Sequence, residues 1–157
     1  MTDERLVFVD LETTGLNPRS DLILEVGMVI TDLDFNELAT YSVPVRYGPV
    51  VIQLRKSWSD AKVVKMHERS GLWQRCIDGW DSRDLQQVRD DITTLVRAYC
   101  PNPKETRLAG NSVHFDKGFL DFHVPTLAEL VSYRIVDVST LSFFANKWHG
   151  IPLMEKQ

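Results

Sequence analysis

The sequence predicts an α/β fold in which a mixed sheet carries helices packed on its faces. The first third of the 157-residue chain contains three extended runs separated by turn residues, which indicates a β-meander. Helix-like and strand-like segments alternate after it, which is typical of α/β units. With 43% apolar residues, a chain of this length can bury a substantial core, and we expect one domain over residues 1–157.

The strands of the meander are predicted from their apolar runs. Residues 6–12 begin with an apolar, β-branched and aromatic stretch that suits a central strand covered on both faces. Turn residues at 13–18 separate this strand from a second one at 23–31. Residues 33–36 predict a hairpin turn that leads into a third strand at about 37–45.

Shorter segments alternate through the rest of the chain. Helices are predicted at residues 59–73 (in pieces), 83–99, 116–122 and 139–148, and strands at 107–110 and 133–138. The clearest helix is 83–99, where apolar residues recur at helical spacing before a Pro-Asn-Pro stop. Ser139 is predicted to cap the last helix. The order of the strands in the sheet does not follow from this pattern.

Charge and cysteine content restrict the class of function. The net charge of −4 favours a ligand with few phosphates, because proteins that bind long duplexes are usually basic. Cys76 and Cys100 lack the spacing of metal ligands and indicate a reducing compartment, so we expect a cytoplasmic protein. The acidic start does not resemble a signal peptide, and no apolar run approaches the ~20 residues of a transmembrane helix, so no membrane partner is expected.

The first chemically informative residues are Asp10 and Glu12. Side chains two positions apart on a strand point to the same face, so the two carboxylates are expected to lie side by side. Like charges this close are unfavourable unless a cation lies between them, and a hard cation such as Mg²⁺ or Mn²⁺ would suit their oxygen atoms. From this spacing alone, a strand that simply reaches solvent with charged residues is the other interpretation.

Two longer motifs extend the pattern. Residues 8–16 read Phe-Val-Asp-Leu-Glu-Thr-Thr-Gly-Leu, and residues 110–120 read Gly-Asn-Ser-Val-His-Phe-Asp-Lys-Gly-Phe-Leu. In this order they resemble the first two motifs of the 3′-to-5′ exonucleases of the DEDD superfamily. Segments 66–72, 108–112 and 133–141 are further similar to the oligoribonucleases, so the resemblance covers nearly the whole chain.

The resemblance implies a ribonuclease-H-like α/β fold and a two-metal hydrolysis of phosphodiesters with Mg²⁺ or Mn²⁺. Asp10, Glu12 and Asp116 would be both the catalytic carboxylates and the metal ligands. The implied substrate is short single-stranded RNA, with short DNA as the alternative, and the implied products are 5′-mononucleotides.

The same resemblance implies contacts with the substrate. Leu16 would wedge against a terminal base. The phosphates of a very short RNA would be surrounded by His67, Ser112, Arg134 and Ser139. Members of the family are homodimers, which implies that Tyr133 and Arg134 reach into the site of the partner.

The resemblance fails at the third motif of the family, a His followed by four residues and an Asp on a late helix. That motif completes the metal site and supplies the general base. None of the four histidines has this spacing, so we expect a C-terminally shortened exonuclease domain that lacks its last helix. Catalysis by this chain is then expected to be weaker by on the order of 10³-fold or more.

Tyr133 and Asp137 have the spacing of the third motif in a sister branch of the superfamily. Residues 134–138 predict a strand, however, whereas that motif needs a helix. We therefore expect Asp137 to support the structure or the site from behind rather than to bind metal.

Two alternatives to an exoribonuclease stay open. A proofreading-like DNA exonuclease is one, because residues 11–15 are also typical of that branch. The other is a shortened pseudo-nuclease that binds nucleotides or a protein without hydrolysis, which the absent third motif suggests.

Overall fold

The computed structural model describes residues 3–152, and five strands and six α-helices alternate within that part of the chain. The strands are β1 (Arg5–Thr13), β2 (Ile23–Thr31), β3 (Glu37–Pro44), β4 (Thr106–Gly110) and β5 (Ile135–Asp137). The helices are α1 (Pro49–Trp58), α2 (Ala61–Arg69), α3 (Leu72–Asp78), α4 (Leu85–Tyr99), α5 (His114–His123) and α6 (Val138–His149).

The strands form one mixed sheet in the order β3-β2-β1-β4-β5. Its antiparallel half is the predicted meander, and Asp32 closes the hairpin turn by accepting hydrogen bonds from the backbone amides of Asp34 and Asn36. β1 and β4 are parallel, as are β4 and β5. The carboxyl ends of these three strands therefore lie at one edge, which is where α/β sheets of this kind bind ligands.

The main core lies between one face of the sheet and two helices. Its buried side chains come from β1 (Val7, Val9, Leu11), α4 (Val88, Ile92, Val96) and α5 (Phe119, Leu120). The prediction that β1 is covered on both faces was wrong for its second half, where Phe8 is half-buried and Asp10 is exposed. The reason is that α4 and α5 both pack on the face of Val7, Val9 and Leu11.

A second buried cluster holds α1 and α3 against the start of β2. Leu24 of β2 packs there with Ile52 of α1 and with Leu72, Trp73 and Cys76 of α3. Burial raises the pKa of the Cys76 thiol to about 12, so this cysteine behaves as a packing residue.

The sequence pattern does not predict α1. Its apolar residues Val50, Val51, Leu54 and Trp58 are exposed, and only Ile52 is buried, so no amphipathic pattern marks the helix. The long gap between the third predicted strand and the first predicted helix is filled by this element.

The last helix begins earlier than predicted, because Asp137 rather than Ser139 is its N-cap. The side chain of Asp137 accepts a hydrogen bond from the Ser139 amide at 2.9 Å. β5 ends at the same aspartate, which turns the chain from strand to helix.

Cys76 and Cys100 are both free thiols and both buried. Within residues 3–152, no helix combines the length and the apolar character needed to cross a membrane.

Candidate active site

Asp10 and Glu12 lie near the carboxyl end of β1, on the face opposite to Val9 and Leu11. The predicted placement of both carboxylates on one face is therefore confirmed. Asp10 is paired across the sheet with Gly27, whose added β-carbon would lie 3.3 Å from the Asp10 carbonyl oxygen. A side chain at Gly27 would crowd the strand that carries the carboxylates.

Asp116 reaches the same place from the first turn of α5 and is buried. Its Oδ1 accepts a hydrogen bond from the Leu11 amide at 2.9 Å. Leu11 lies between Asp10 and Glu12 in the sequence, so this bond holds the Asp116 carboxylate at the part of β1 that carries the other two carboxylates. Gly110 makes this approach possible. Its φ is +155°, and a β-carbon there would lie 2.8 Å from the Val9 carbonyl oxygen, so only glycine lets the end of β4 run this close to β1.

The three carboxylates influence each other electrostatically. Burial raises the pKa of Glu12 and, despite the nearby His67, the negative charges of Asp10, Glu25 and Asp116 raise it further. Burial also raises the pKa of Asp116, and although the Leu11 amide opposes this, the charge of Asp10 adds to it. The end of β1 is therefore a site of unbalanced negative charge.

This donor set has the chemistry of a divalent-cation site. Carboxylate oxygens are the ligands that Mg²⁺ and Mn²⁺ prefer, and a cation would relieve the repulsion that adds to the effect of burial on the two pKa values. Within residues 3–152, however, no three carboxylate, imidazole or thiol groups converge into a complete ligand set. The residues fit the cation in type and charge, and the side-chain positions leave the ligand shell open.

His67 lies behind the carboxylates and is buried. Its Nε2 donates to the Thr13 carbonyl oxygen at 2.9 Å, and its Nδ1 lies 3.7 Å from Glu12 Oε2. The ring packs edge-on against Trp73, with 5.4 Å between centroids. In this position His67 supports the end of β1, and its contact with a substrate phosphate stays a prediction.

Ser112 and Ser139 are brought together by Asp137. Both backbone amides donate to Asp137 Oδ1, at 3.0 Å and 2.9 Å, and His114 Nδ1 lies 3.4 Å from Oδ2. Burial raises the pKa of the Asp137 carboxyl, but the hydrogen bonds from Ser139, Ser112 and His114 outweigh it and hold the pKa below its usual value.

Asp137 has the supporting role that was expected of it. Residues 135–137 form a strand, as expected, and both carboxylate oxygens are engaged by protein groups, so the arrangement is not that of the sister branch's helical Tyr-Asp motif. The Asp-x-Ser spacing at 137–139, typical of an N-cap, is the signal that could have revealed that Asp137 caps α6.

Leu16 stands on the loop that follows β1 and is 82% exposed. Asp21 braces this loop, because its carboxylate accepts hydrogen bonds from the Thr14 hydroxyl at 3.0 Å and the Asn17 amide at 2.9 Å. A β-carbon on Gly15 would lie 2.7 Å from the same carboxylate, which explains the glycine in the motif. The hydrogen bonds of Asp21 thus hold the loop in place while the apolar side chain of Leu16 is exposed to solvent.

Tyr133 and Arg134 lie on the surface just before β5. The guanidinium carbon of Arg134 stands over the Tyr133 ring at 4.9 Å from its centroid. In the described part of the chain, no hydrogen bond or ion pair connects Leu16, Tyr133 or Arg134 side chains to the carboxylates or to Asp137. The predicted site residues therefore fall into three sets. Asp10, Glu12, Asp116 and His67 lie at the end of β1, Ser112 and Ser139 are joined through Asp137, and Leu16, Tyr133 and Arg134 are exposed around them.

Solved structures with a similar fold are large exonucleases. Exonuclease I of E. coli, in a metal-free complex with single-stranded DNA, has a TM-score of 0.68 at 14% identity and covers 98% of this chain and 32% of its own. Exonuclease I of Methylocaldum szegediense has a TM-score of 0.69 at 14% identity, with coverage of 98% and 32%. At this identity the similarity shows the fold, and it confirms the predicted ribonuclease-H-like architecture.

Sequence comparison resolves the family. A family model described as exonuclease matches residues 7–157. The mitochondrial oligoribonuclease of Mus musculus is 39% identical over 151 residues, which cover 93% of this chain and 59% of the relative. The oligoribonuclease of Neisseria meningitidis serogroup B is 36% identical over 145 residues, which cover 92% and 74%. The chain thus spans well under two thirds of the mouse relative, and it belongs to the exonuclease family, within it to the oligoribonucleases.

Proposed function

We propose that the protein is a 3′-to-5′ exoribonuclease that hydrolyses short oligoribonucleotides to 5′-mononucleotides. The observation that carries the proposal is the placement of Asp10, Glu12 and Asp116 at the carboxyl edge of the sheet, where burial and then neighbouring negative charge raise the pKa values of Glu12 and Asp116. The names of the relatives, oligoribonucleases from a mammal and a bacterium, support the same substrate class.

The protein's own groups prepare this edge for catalysis. The Leu11 amide holds Asp116 against β1 by a hydrogen bond. The buried His67 donates to the Thr13 carbonyl oxygen, and its other ring nitrogen lies beside the Glu12 carboxylate. Two divalent cations, Mg²⁺ or Mn²⁺, held by Asp10, Glu12 and Asp116 would supply an activated water and stabilise charge on the leaving oxygen.

The proposed substrate is a very short single-stranded RNA, with short DNA as the alternative. The net charge of −4 disfavours a long phosphate track. The exposed Leu16 offers an apolar surface to a terminal base. The Ser112 hydroxyl and the Arg134 guanidinium offer donors to one or two phosphates, whereas the amide and the hydroxyl of Ser139 already donate to Asp137.

We further propose a homodimer. α6 has no buried residue among those described, although Leu141, Phe143, Phe144 and Trp148 all belong to it. An aromatic helix face of this kind is typical of a protein interface. Tyr133 is exposed nearby in the chain, in keeping with a contact to the partner's site.

A reducing, cytoplasmic location is proposed from the two free cysteines. The mouse relative is named as mitochondrial, so the location of a tagged protein in intact cells distinguishes the two compartments.

The test of the function is cleavage of a 5′-labelled RNA dinucleotide with Mn²⁺ by the wild-type chain and by Asp10→Ala. We expect slow release of the labelled mononucleotide by the wild type and none by the variant, with slower cleavage of the matched DNA dinucleotide. Equal cleavage by the variant would show that the activity does not come from this site.

A non-catalytic nucleotide-binding protein is the second candidate. It is favoured by the side-chain positions within residues 3–152, where no three carboxylate, imidazole or thiol groups converge on one point. Dinucleotide binding without cleavage, in Mg²⁺ and in Mn²⁺, would support it. Cleavage restored by a longer form of the same gene product would exclude it for the natural protein.

A further inference from the structure

Asp137 joins three elements at the ligand-binding edge. It is the last residue of β5, and its side chain is 13% exposed. Oδ1 accepts hydrogen bonds from the Ser112 amide at 3.0 Å, the Ser139 amide at 2.9 Å and the Ser139 hydroxyl at 2.6 Å. One carboxylate oxygen thus ties the turn before α5 to the first turn of α6.

The turn before α5 needs such support. Ser112 has a φ of +58°, a left-handed conformation that a non-glycine residue adopts only when its surroundings hold it there. The amide that donates to Asp137 belongs to this residue. The same turn leads from Gly110 into the helix that carries Asp116, so its conformation sets where α5 begins.

An ordinary helix cap behaves differently. Asp84 caps α4 by bonding to Gln87 within the same helix, in a reciprocal capping box. Asp137 caps α6 as well, yet its second partner is Ser112, which lies 25 residues earlier in the chain. Capping α6 alone would not require that partner.

We propose that Asp137 is a positioning residue that holds the turn of Ser112 against the start of α6, so that the Ser112 hydroxyl is placed to donate to a phosphate of a short single-stranded RNA. This inference rests on the proposed function for its ligand, and it deepens that function by naming the group that preorganises the contact. Asp137 itself does not touch the substrate. It acts through its bond to the Ser112 amide, while its bonds to the amide and hydroxyl of Ser139 anchor the carboxylate at the start of α6.

The experiment compares Asp137→Ala, Asp137→Asn and the matched cap variant Asp84→Ala in the full chain. Two quantities are measured: the exchange rate of the Ser112 amide with solvent deuterium, and the dissociation constant for a 5′-phosphorylated RNA dinucleotide with Mg²⁺. Unfolding in urea is followed for each variant to account for general stability.

We expect Asp137→Ala to weaken dinucleotide binding by about tenfold and to speed Ser112 exchange by at least a similar factor, because two or more hydrogen bonds are lost. Asp137→Asn keeps an acceptor oxygen at Oδ1 and should restore both quantities to within about threefold of wild type. Asp84→Ala should lower stability while leaving the dissociation constant unchanged.

A double variant tests whether Asp137 affects dinucleotide binding through its partner rather than through the general stability of the fold. If Asp137 acts through Ser112, then adding Ser112→Ala to Asp137→Ala should weaken binding little further than either change alone. Fully additive losses, or an equal loss in Asp84→Ala, would overturn the positioning role.

The two proposals fail in distinguishable ways. Unchanged Ser112 exchange in Asp137→Ala would overturn the positioning inference whatever the ligand. Failure of the wild-type chain to bind the dinucleotide would instead overturn the proposed function and the ligand part of this inference with it.

Discussion

Glu12 and Asp116 show at the level of single residues why the candidate site is unfavourable without a cation. Burial and neighbouring negative charge raise the pKa of both carboxyls. A carboxyl whose pKa is higher in the folded than in the unfolded state destabilises the fold above its unfolded pKa, and stability recovers as the pH falls through the raised folded pKa. At neutral pH the metal-free protein therefore carries an electrostatic penalty at the end of β1.

Neutralising Asp10 tests this penalty. Asp10→Asn removes a charge that raises the pKa of both neighbours, so the metal-free protein should gain roughly 0.2–1 kcal/mol of unfolding free energy at pH 7. Urea unfolding with and without Mg²⁺ measures the effect, and Mg²⁺ should stabilise the wild type more than the variant. Asp34→Asn, on the exposed hairpin, is the control. A destabilised Asp10→Asn, or equal Mg²⁺ stabilisation of both proteins, would contradict this account.

Gly110 is a residue whose absence of a side chain positions Asp116. Gly110→Ala should cost about 1–3 kcal/mol or more, because φ is +155° and the new β-carbon would meet the Val9 carbonyl oxygen at 2.8 Å. Gly118 lies within α5, where an added β-carbon meets nothing within 4 Å, so Gly118→Ala should stabilise by about 0.5–1 kcal/mol. Thermal and urea unfolding of the two variants would show opposite signs. A loss in Gly118→Ala as large as that in Gly110→Ala would contradict the account that the backbone conformation of Gly110 and its approach to Val9 cause the cost.

At the scale of elements, α4 and α6 are opposites. α4 buries Val88, Ile92 and Val96 at helical spacing and begins with a reciprocal capping box. α6 buries none of its described residues, although it is rich in phenylalanine. α4 is stabilised within the chain by its own amphipathic face, whereas α6 exposes an apolar surface within residues 3–152.

The cap of α4 gives a prediction at this scale. Asp84→Ala removes the acceptor of the Gln87 amide at 2.9 Å and should cost about 1 kcal/mol of unfolding free energy. Asp84→Asn keeps an acceptor oxygen and should cost only about 0.3 kcal/mol of unfolding free energy. Urea denaturation of both variants measures the difference, and a loss as large in Asp84→Asn as in Asp84→Ala would show that the charge rather than the hydrogen bond matters.

For the whole molecule, the acidic charge and the exposed α6 face are the grounds on which a small ligand and a homodimer are proposed. A net charge of −4 gives little attraction for extended nucleic acid, so affinity must come from a few defined contacts. Two copies joined through α6 would bury the aromatic side chains that a single chain leaves in solvent.

The oligomeric prediction follows from that face. Phe144→Glu should convert the proposed dimer into a monomer, as measured by sedimentation velocity. It should lower the stability of the monomer only slightly, because the ring contacts of Phe144 are with Phe143 and Trp148 of the same exposed helix. Leu54→Glu introduces the same charge at an exposed leucine of α1 and should leave the dimer intact. A monomeric wild type would overturn the homodimer, and dissociation by both variants would show that charge alone disrupts it.

The amino-acid sequence by itself determined the local features of this protein. The meander, the helix at α4 and the shared face of Asp10 and Glu12 were all predictable, because they follow from the two-residue period of strands and the 3.6-residue period of helices. The motifs at 8–16 and 110–120 also identified Asp116 as a third carboxylate. α1 escaped prediction because its apolar residues face solvent and leave no amphipathic pattern.

Only the tertiary structure decided the strand order, the bond from the Leu11 amide to Asp116, the burial of His67 behind Glu12 and the link from Asp137 to Ser112. These contacts join residues between 25 and 105 positions apart. Residues so distant in the chain meet only when the sheet and its helices pack, and many packings satisfy the same local periods. Local spacing therefore placed the carboxylates on one strand, and packing decided what surrounds them.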